Sequence, residues 1–268
     1  MRERRRRLMQ YRHLSVRQDG PLAHVTLDRP DVRNAFNAEL ITSLHAAFTD
    51  LGNAAGVRAI VLGGSGKLFC GGADINWMRA ALELDEAANV SDALRMSDMF
   101  RAIDRCPKPV IGKIQGGALG GGVGLVAVCD IAIAANDALF GFTETKLGIL
   151  PAVISPFAIA KIGVSHARAL FLTGERFGCE RALSIGLIHQ TASVGELDVA
   201  VERVVRELLG TGPNAVSAAK ALVADVASAS YEESRDLTAH AIARQRITPE
   251  AQEGLRAFLE RRKAGWAL

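Results

Sequence analysis

Two glycine-rich turns are the features of this chain best suited to chemistry. Residues 69–74 read FCGGAD and residues 116–122 read GGALGGG, and each turn follows an apolar run and precedes a helix-like stretch. Glycine lets a ligand approach the main chain closely, and the N–H groups at the start of a helix have no acceptor within it. Two such turns can direct two N–H groups at one oxygen atom, as an oxyanion hole requires. The alternative is that both turns are ordinary loops or tight packing points.

A glutamate follows the second turn in an apolar segment. Residues 140–151 read FGFTETKLGILP and place Glu144 between a predicted short strand and a helical segment. Burial in such a place raises the pKa of a carboxyl group toward the range useful for proton transfer. The alternative is a surface carboxylate paired with Lys146, and the spacing alone does not choose between the two.

Other chemical motifs fail on their spacing. Residues 64–67 read GSGK, but a phosphate-binding loop also needs glycine at Val61 and Ser or Thr at Leu68. Residues 122–127 match the dinucleotide pattern G-x-G-x-x-A, but further glycines separate them from their strand, which that fold's tight turn does not allow. No G-x-S-x-G sequence seats a hydrolase serine, and the 6 histidines and 4 cysteines show no metal-ligand spacing.

Length and composition fit one large globular α/β domain. The 268 residues are 49% hydrophobic and 23% charged, which is enough to bury a sizeable core. No apolar run reaches the ~18–20 residues of a membrane span, and no apolar segment follows the basic start as in a secretory signal. The scattered cysteines are typical of a reducing compartment. We therefore expect a cytoplasmic protein without a membrane partner.

The positive charge is concentrated at one end. Residues 2–7 contain five arginines and one glutamate and carry +4, so the rest of the chain carries −1 against the net +3. We expect residues 1–10 to be a disordered basic arm. A basic arm can also bind RNA, which is the alternative function of a different class, although we do not favour a nucleic-acid partner.

The predicted elements place both turns at the ends of strands. Strands are predicted at 14–16, 23–27, 57–62, 109–114, 131–134 and 138–141. Helices are predicted at 37–51, at 75–105 with an acidic middle, at 122–128, and over most of the chain after residue 155, the last at 249–263. This alternation followed by helices predicts a layered α/β core with a helical C-terminal region.

Several stretches together make the chain similar to the crotonase, or enoyl-CoA hydratase/isomerase, family. They are residues 28–30 (DRP), 34–37 (NAFN), 69–75, 114–130, 144–151 and 253–264. The resemblance implies a crotonase spiral of ββα units, a homotrimer or dimer of trimers, and an acyl-CoA thioester substrate. It implies no metal and no cofactor other than the coenzyme A of the substrate. The implied division is the arm at 1–10, the spiral core at 11–200 and a helical region at 201–268 that forms the trimer interface and completes the CoA site.

The resemblance also implies roles for individual residues. The Gly71 and Gly121 amides would hold the thioester oxygen, and Glu144 would transfer the proton. Phe258 and Lys263 would reach CoA, including that of a neighbouring subunit. The remaining residues expected at the CoA and substrate site are Arg33, Ala35, Gly72, Ala73, Asp74, Ile75, Gly124 and Lys146.

One position departs from the usual hydratase pattern. Gly124 stands where the usual hydratase carries a second glutamate, so Glu144 is the only family glutamate retained. A single glutamate at the position of Glu144 also occurs in enoyl-CoA isomerases. The missing residue therefore leaves both water addition and double-bond migration open.

A finer resemblance favours water addition. Residues 73–78 (ADINWM), 121–127 (GGVGLVA) and 150–156 (LPAVISP) are similar to the bacterial methylglutaconyl-CoA and isohexenylglutaconyl-CoA hydratases of leucine and acyclic terpene breakdown. Such substrates carry a distal carboxylate, for which Lys146 is a candidate counter-charge or else a surface lysine. The predicted activity is hydration of a branched glutaconyl-CoA and its reverse, with Δ3,Δ2-enoyl-CoA isomerisation as the alternative.

Overall fold

The computed structural model of the chain describes the backbone of residues 7–267 and the side chains of residues 10–267. Its strands are β1 (Arg7–Tyr11), β2 (Leu14–Asp19), β3 (Leu22–Leu27), β4 (Ala59–Gly64), β5 (Val110–Ile114), β6 (Gly117–Leu119), β7 (Ile131–Ala135), β8 (Leu139–Gly141), β9 (Arg176–Gly178) and β10 (Gln190–Ala192). Its α-helices are α1 (Ala38–Asn53), α2 (Ile75–Ala81), α3 (Glu86–Asp104), α4 (Gly121–Ala127), α5 (Ser155–Thr173), α6 (Cys179–Ser184), α7 (Leu197–Gly210), α8 (Pro213–Ser228), α9 (Tyr231–Arg246) and α10 (Pro249–Leu259).

Two sheets organise the core. A seven-stranded sheet has the order β1-β2-β3-β4-β5-β7-β10, antiparallel from β1 to β3 and parallel from β3 onward. A smaller sheet has the order β6-β8-β9. Both glycine-rich turns lie at the carboxyl ends of parallel strands, the first after β4 and the second around β6. The α/β class predicted from the sequence is confirmed.

The central strand β4 is buried on both faces, as its apolar sequence predicts. Ile60 and Leu62 pack into the larger apolar cluster with α1, whereas Ala59 and Val61 pack into a second cluster with α7. Alternate residues of a strand point to opposite faces, so one strand supplies two cores. Helix α1 begins after Asn37, whose side chain accepts a hydrogen bond from the Leu40 amide.

The structure corrects the predicted start of the folded chain. Residues 7–10, expected in the disordered arm, belong to β1, which pairs with β2 so that Met9 lies opposite Val16. Main-chain pairing is independent of side-chain charge, so the basic composition of this segment concealed the strand. Residues 1–6 lie outside the described residues.

Polar contacts attach α8 and the C-terminal segment to the core. Lys220 of α8 forms a 2.7 Å ion pair with Asp130, and Arg58 donates hydrogen bonds to the carbonyls of Leu209, Thr211 and Trp266. The expected boundary between residues 200 and 201 falls inside α7, whose apolar face packs on the sheet.

Of the helices within residues 7–267, none combines the length and the hydropathy that a membrane crossing requires.

Candidate active site

The two glycine-rich turns meet, as their positions after parallel strands predict. The Leu119 amide donates to the Cys70 carbonyl at 3.0 Å, and the Cys70 amide donates to the Gly117 carbonyl at 3.4 Å. Gly72 has φ +93°, and a Cβ atom there would lie 2.8 Å from the carbonyl oxygen of Leu119. Only glycine allows this approach of the two main chains.

Phe36 fixes the direction of the Ala73 amide. The Phe36 amide donates to the Gly72 carbonyl at 2.7 Å, and the Asp74 amide donates to the Phe36 carbonyl at 2.9 Å. In such a bridge the N–H of the central residue, Ala73, points away from Phe36. The Ala73 amide has no acceptor among residues 7–267, and the same holds for the amide of Gly121, the first residue of α4. Both N–H groups are available to a ligand.

The Gly71 amide, which the family resemblance implies as a ligand donor, is already engaged. It donates a 2.8 Å hydrogen bond to the carbonyl of Arg33, which has the left-handed φ of 58°. The expectation for Gly71 is therefore corrected, and this turn instead offers the amide of Ala73. The bridge to Phe36 causes the difference, because it turns the Ala73 N–H away from the chain segment that Gly71 contacts.

Glu144 begins a short 3-10 helix (Glu144–Leu147) shortly after β8. A Cβ atom on Gly120 would lie 3.3 Å from Glu144 Oε1, so the carboxyl group is next to the turn that carries Gly121. Its Oε2 atom is buried and has no hydrogen-bond partner among the described residues. Burial raises the pKa of Glu144, and a hydrogen bond from its own amide only partly opposes this. Glu144 can therefore both accept and donate a proton.

Lys146 does not pair with Glu144. Its side chain is exposed, and its stem lies against Gly174, where a Cβ atom would be 3.1 Å from Lys146 Cγ. The alternative of a surface carboxylate neutralised by Lys146 is therefore wrong. The lysine faces the turn between α5 and β9.

Apolar side chains fill the position of the missing second glutamate. A Cβ atom on Gly124 would lie 2.4 Å from Ile154 Cγ2 and 2.8 Å from Phe100 Cζ, and both side chains are buried. A Cβ atom on Gly121 would lie 2.9 Å from Met96 Cε. Met96, Phe100 and Ile154 therefore form an apolar wall beside α4, and this wall has no place for a second carboxylate.

A cleft of about 640 Å³ lies beside the first glycine-rich turn. Its lining includes three cations, Arg33, Lys67 and Arg176, and one anion, Asp31. None of the three cationic side chains has a hydrogen-bonded or ion-paired partner in the described part of the chain. Unpaired cations around one cleft favour binding of a polyanion.

Sequence reasoning missed Lys67 and Arg176. Lys67 belongs to the GSGK segment, which fails as a phosphate-binding loop but still faces the cleft. Arg176 lies in β9, a three-residue strand too short to leave a periodic pattern. Its position follows from the pairing of β9 with β8.

Not all of the other residues that the resemblance implies around the first turn line the cleft. Arg33 lines the cleft, whereas Ala35 and Asp74 are buried beneath the turn and Gly72 joins it to the second turn. Ile75 is 70% exposed at the start of α2.

Phe258 and Lys263 do not come near the cleft of their own chain. Arg58, directly before β4, bonds to the carbonyl of Trp266, three residues after Lys263, whereas the cleft residues follow β4 at its other end. A six-residue strand spans about 20 Å, so the C-terminal segment and the cleft lie at opposite ends of the sheet. The side chain of Phe258 is 80% exposed.

Comparison with known proteins agrees with this geometry. The family model described as enoyl-CoA hydratase/isomerase matches residues 17–267. A crystal structure of an enoyl-CoA hydratase from Shewanella pealeana superposes with a TM-score of 0.92 at 36% identity, covering 96% of this chain and 97% of that chain. A putative enoyl-CoA hydratase of Thermus thermophilus is 32% identical over 91% of this chain and 97% of its own length. A crotonyl-CoA hydratase of Syntrophomonas wolfei is 31% identical over 96% of this chain and 99% of its own length.

The chain belongs to the enoyl-CoA hydratase/isomerase family. It is an enzyme, and its activity is of the enoyl-CoA hydratase/isomerase type. This class agrees with a half-buried carboxyl group, Glu144, next to the turn that carries Gly121.

Proposed function

We propose that this enzyme adds water to 3-methylglutaconyl-CoA, or to a longer branched glutaconyl-CoA, and catalyses the reverse dehydration. The product of hydration is the corresponding 3-hydroxy-3-substituted glutaryl-CoA. The observation that carries the proposal is the half-buried carboxyl group of Glu144, whose Oε2 atom is buried without a partner among the described residues, beside the turn that presents the Gly121 amide. The resemblance of residues 73–78, 121–127 and 150–156 to the glutaconyl-CoA hydratases supports the substrate.

The amides of Ala73 and Gly121 bind the thioester oxygen. When the water oxygen bonds to C3, the electrons of the double bond move toward the thioester and negative charge develops on its oxygen. Two fixed N–H donors stabilise that charge more than they stabilise the neutral substrate. Each such donor typically contributes about 2.7–4 kcal/mol to lowering the barrier.

Glu144 transfers the proton between water and C2. Its carboxylate takes a proton from water as the C3–O bond forms, and the same carboxyl returns a proton to C2, so that one water molecule is added. In dehydration the steps reverse, and the leaving hydroxyl receives the proton. The raised pKa of Glu144 suits a group that both accepts and donates a proton.

The apolar wall is compatible with an apolar substituent on C3, the carbon that water attacks. Ile154 and Phe100 fill the space of the missing glutamate with hydrocarbon. A methyl or isohexenyl substituent is apolar and suits that wall, whereas a second glutamate at position 124 would place a charge against hydrocarbon.

The cationic cleft is proposed to hold the phosphates of coenzyme A. Arg33, Lys67 and Arg176 supply three unpaired positive charges for the diphosphate and the 3′-phosphate. Arginine presents a planar pair of donors that matches a phosphate group. Coenzyme A enters as part of the substrate, and no further cofactor or metal is proposed.

The assembly is proposed to be a homotrimer or a dimer of trimers. Phe258 and Lys263 lie far from the cleft of their own chain, so a role for them in CoA binding requires a neighbouring subunit. Apolar side chains that are largely exposed on the C-terminal helices offer contact area, among them Val223, Phe258 and Leu259. The 4 cysteines are unpaired, in agreement with a cytoplasmic location.

The second candidate is a Δ3,Δ2-enoyl-CoA isomerase. The filled position at Gly124 favours it, because a single base can move a proton from C4 to C2 without holding water. The same two amides would stabilise the intermediate.

The experiment compares 3-methylglutaconyl-CoA with a 3-enoyl-CoA in water enriched in ¹⁸O. We expect ¹⁸O in the 3-hydroxy product of the first substrate and slower conversion of the second. Conversion of the 3-enoyl-CoA alone, without ¹⁸O uptake, establishes the isomerase instead. Glu144→Gln serves as the control for background hydration.

A further inference from the structure

Arg29 joins the two segments that meet at the Phe36–Ala73 bridge. Its Nη1 atom donates to the carbonyl of Ala35, which directly precedes Phe36. Its Nη2 atom donates to Asp74 Oδ2 at 2.8 Å, and Asp74 directly follows Ala73. The planar guanidinium group therefore ties both segments together next to the bridge.

The second oxygen of Asp74 is also engaged. Asp74 Oδ1 accepts hydrogen bonds from the amides of Asn76 at 2.8 Å and Trp77 at 3.4 Å, and so caps α2. Burial alone would raise the pKa of Asp74, but these amides and Arg29 together lower it. The carboxylate is thus ionised at neutral pH, and its partner is the charged guanidinium.

Arg29 has no direct access to a ligand in the cleft. The cleft is lined by its neighbours Pro30 and Asp31, but not by Arg29 or Asp74. The side chains of the pair are only 14% and 7% exposed. Any influence of Arg29 on the reaction must therefore pass through the main chain that it holds.

We propose that Arg29 is a positioning residue that directs the Ala73 N–H group at the thioester oxygen. It does so by holding Ala35 and Asp74 together, which keeps the bridge between Phe36 and Ala73 closed. The proposal rests on the proposed function in one respect, the assignment of that oxygen to a thioester. Loss of Arg29 then weakens the stabilisation of the developing negative charge more than it weakens the binding of coenzyme A.

Infrared spectroscopy of a bound thioester tests this directly. Butyryl-CoA labelled with ¹³C at C1 has no double bond to react, and its carbonyl band reports hydrogen bonding to the thioester oxygen. We expect a shift to lower frequency on binding to the wild-type enzyme, and a shift at most half as large with Arg29→Met. Removal of one oxyanion donor typically lowers kcat about 10²–10³-fold, so a misdirected donor should cost about 10-fold or more. The Kd of coenzyme A should stay within about threefold, because phosphate contacts are kept.

Three variants complete the test. Arg29→Lys has a single ammonium group that cannot hold Ala35 and Asp74 with the same planar geometry, so its band shift should be intermediate. Asp74→Asn keeps an oxygen to cap α2 but loses the charged partner, and it should also reduce the shift. Arg105→Met removes an exposed ion pair with Asp104 at the end of α3, before β5 begins and so at the opposite end of the sheet from the cleft, and should behave as wild type.

The outcomes separate the two proposals. A full wild-type band shift in folded Arg29→Met overturns the positioning role, as does a raised KM with an unchanged kcat. If Arg29→Met fails to fold, a full shift in both Arg29→Lys and Asp74→Asn overturns it. Absence of any shift in the wild-type enzyme overturns the assignment of the thioester oxygen, and with it the proposed function.

Discussion

Ile154 occupies the space into which a side chain at position 124 would extend. The distance from a Cβ atom on Gly124 to Ile154 Cγ2 would be 2.4 Å, well inside van der Waals contact. Glycine at this position therefore does not leave an empty space where the resemblance leads one to expect a second glutamate. The neighbouring side chains have closed over the place where that acid would stand.

Restoring a glutamate at position 124 should destabilise the enzyme. We expect Gly124→Glu to lower the free energy of unfolding by about 1–3 kcal/mol through overpacking against Ile154 and Phe100. The variant should not hydrate the glutaconyl substrate faster than wild type. Thermal unfolding and kcat measurements check this, with Gly195→Glu as a control at an exposed glycine with open space around it. Faster hydration by Gly124→Glu would contradict the proposed substrate fit.

Replacing Glu144, the proposed proton carrier, should abolish most turnover. Glu144→Gln keeps the shape of the side chain but cannot take a proton, so we expect kcat to fall about 10²–10⁴-fold with an unchanged circular dichroism spectrum. The matched control is Glu175→Gln, a carboxylate paired with Arg181 at the surface. Turnover of Glu144→Gln within about threefold of wild type, far short of that range, would exclude the assignment.

The pH dependence of stability should also report Glu144. Its pKa is raised by burial, so the protonated form is favoured in the folded state. Relative to Glu144→Gln, the wild-type enzyme should therefore lose stability as the pH rises through that raised pKa. Denaturant unfolding of both proteins between acidic and neutral pH measures the difference. A difference that grows in the opposite direction would show that the carboxylate is stabilised by an unseen partner.

The cationic cleft makes a separate prediction for coenzyme A. Arg176→Gln should weaken CoA binding by about 1.5–3 kcal/mol, the usual contribution of a hydrogen bond to a charged group. It should hardly affect an acyl-pantetheine thioester, which has no phosphates to bind there. Isothermal titration with both ligands checks this, with Arg181→Gln as the paired-arginine control. Equal weakening of both ligands would remove Arg176 from the phosphate site.

Lys146 is expected to be a surface residue. Its stem lies over Gly174, and its ammonium group has no ion pair among the described residues, so Lys146→Met should leave kcat/KM unchanged. The measurement uses 3-methylglutaconyl-CoA and crotonyl-CoA side by side. A loss confined to the glutaconyl substrate would instead assign Lys146 to the distal carboxylate.

The sequence predicts what depends on local pattern, and it misses what depends on contacts between distant segments. The glycine runs and the strand alternation locate both turns, and Asn37 locates the start of α1. Which amide of the first turn is available depends on a bridge to Phe36, more than thirty residues earlier, and no spacing within the turn reveals it. The packing of Ile154 and Phe100 against Gly124 and the approach of Arg176 to the cleft are non-local in the same way.

The contact of Gly72 with the Leu119 carbonyl has a consequence for how such an enzyme can change. It joins the two turns through main-chain atoms alone, which have no rotamers. The spacing between the two donor groups is therefore insensitive to the choice of side chains around the acyl group. If the proposed function holds, we expect substitutions at Ile154 to change which acyl chains are accepted while the two donor groups keep their spacing, so that substrate selection can vary independently of carbonyl activation.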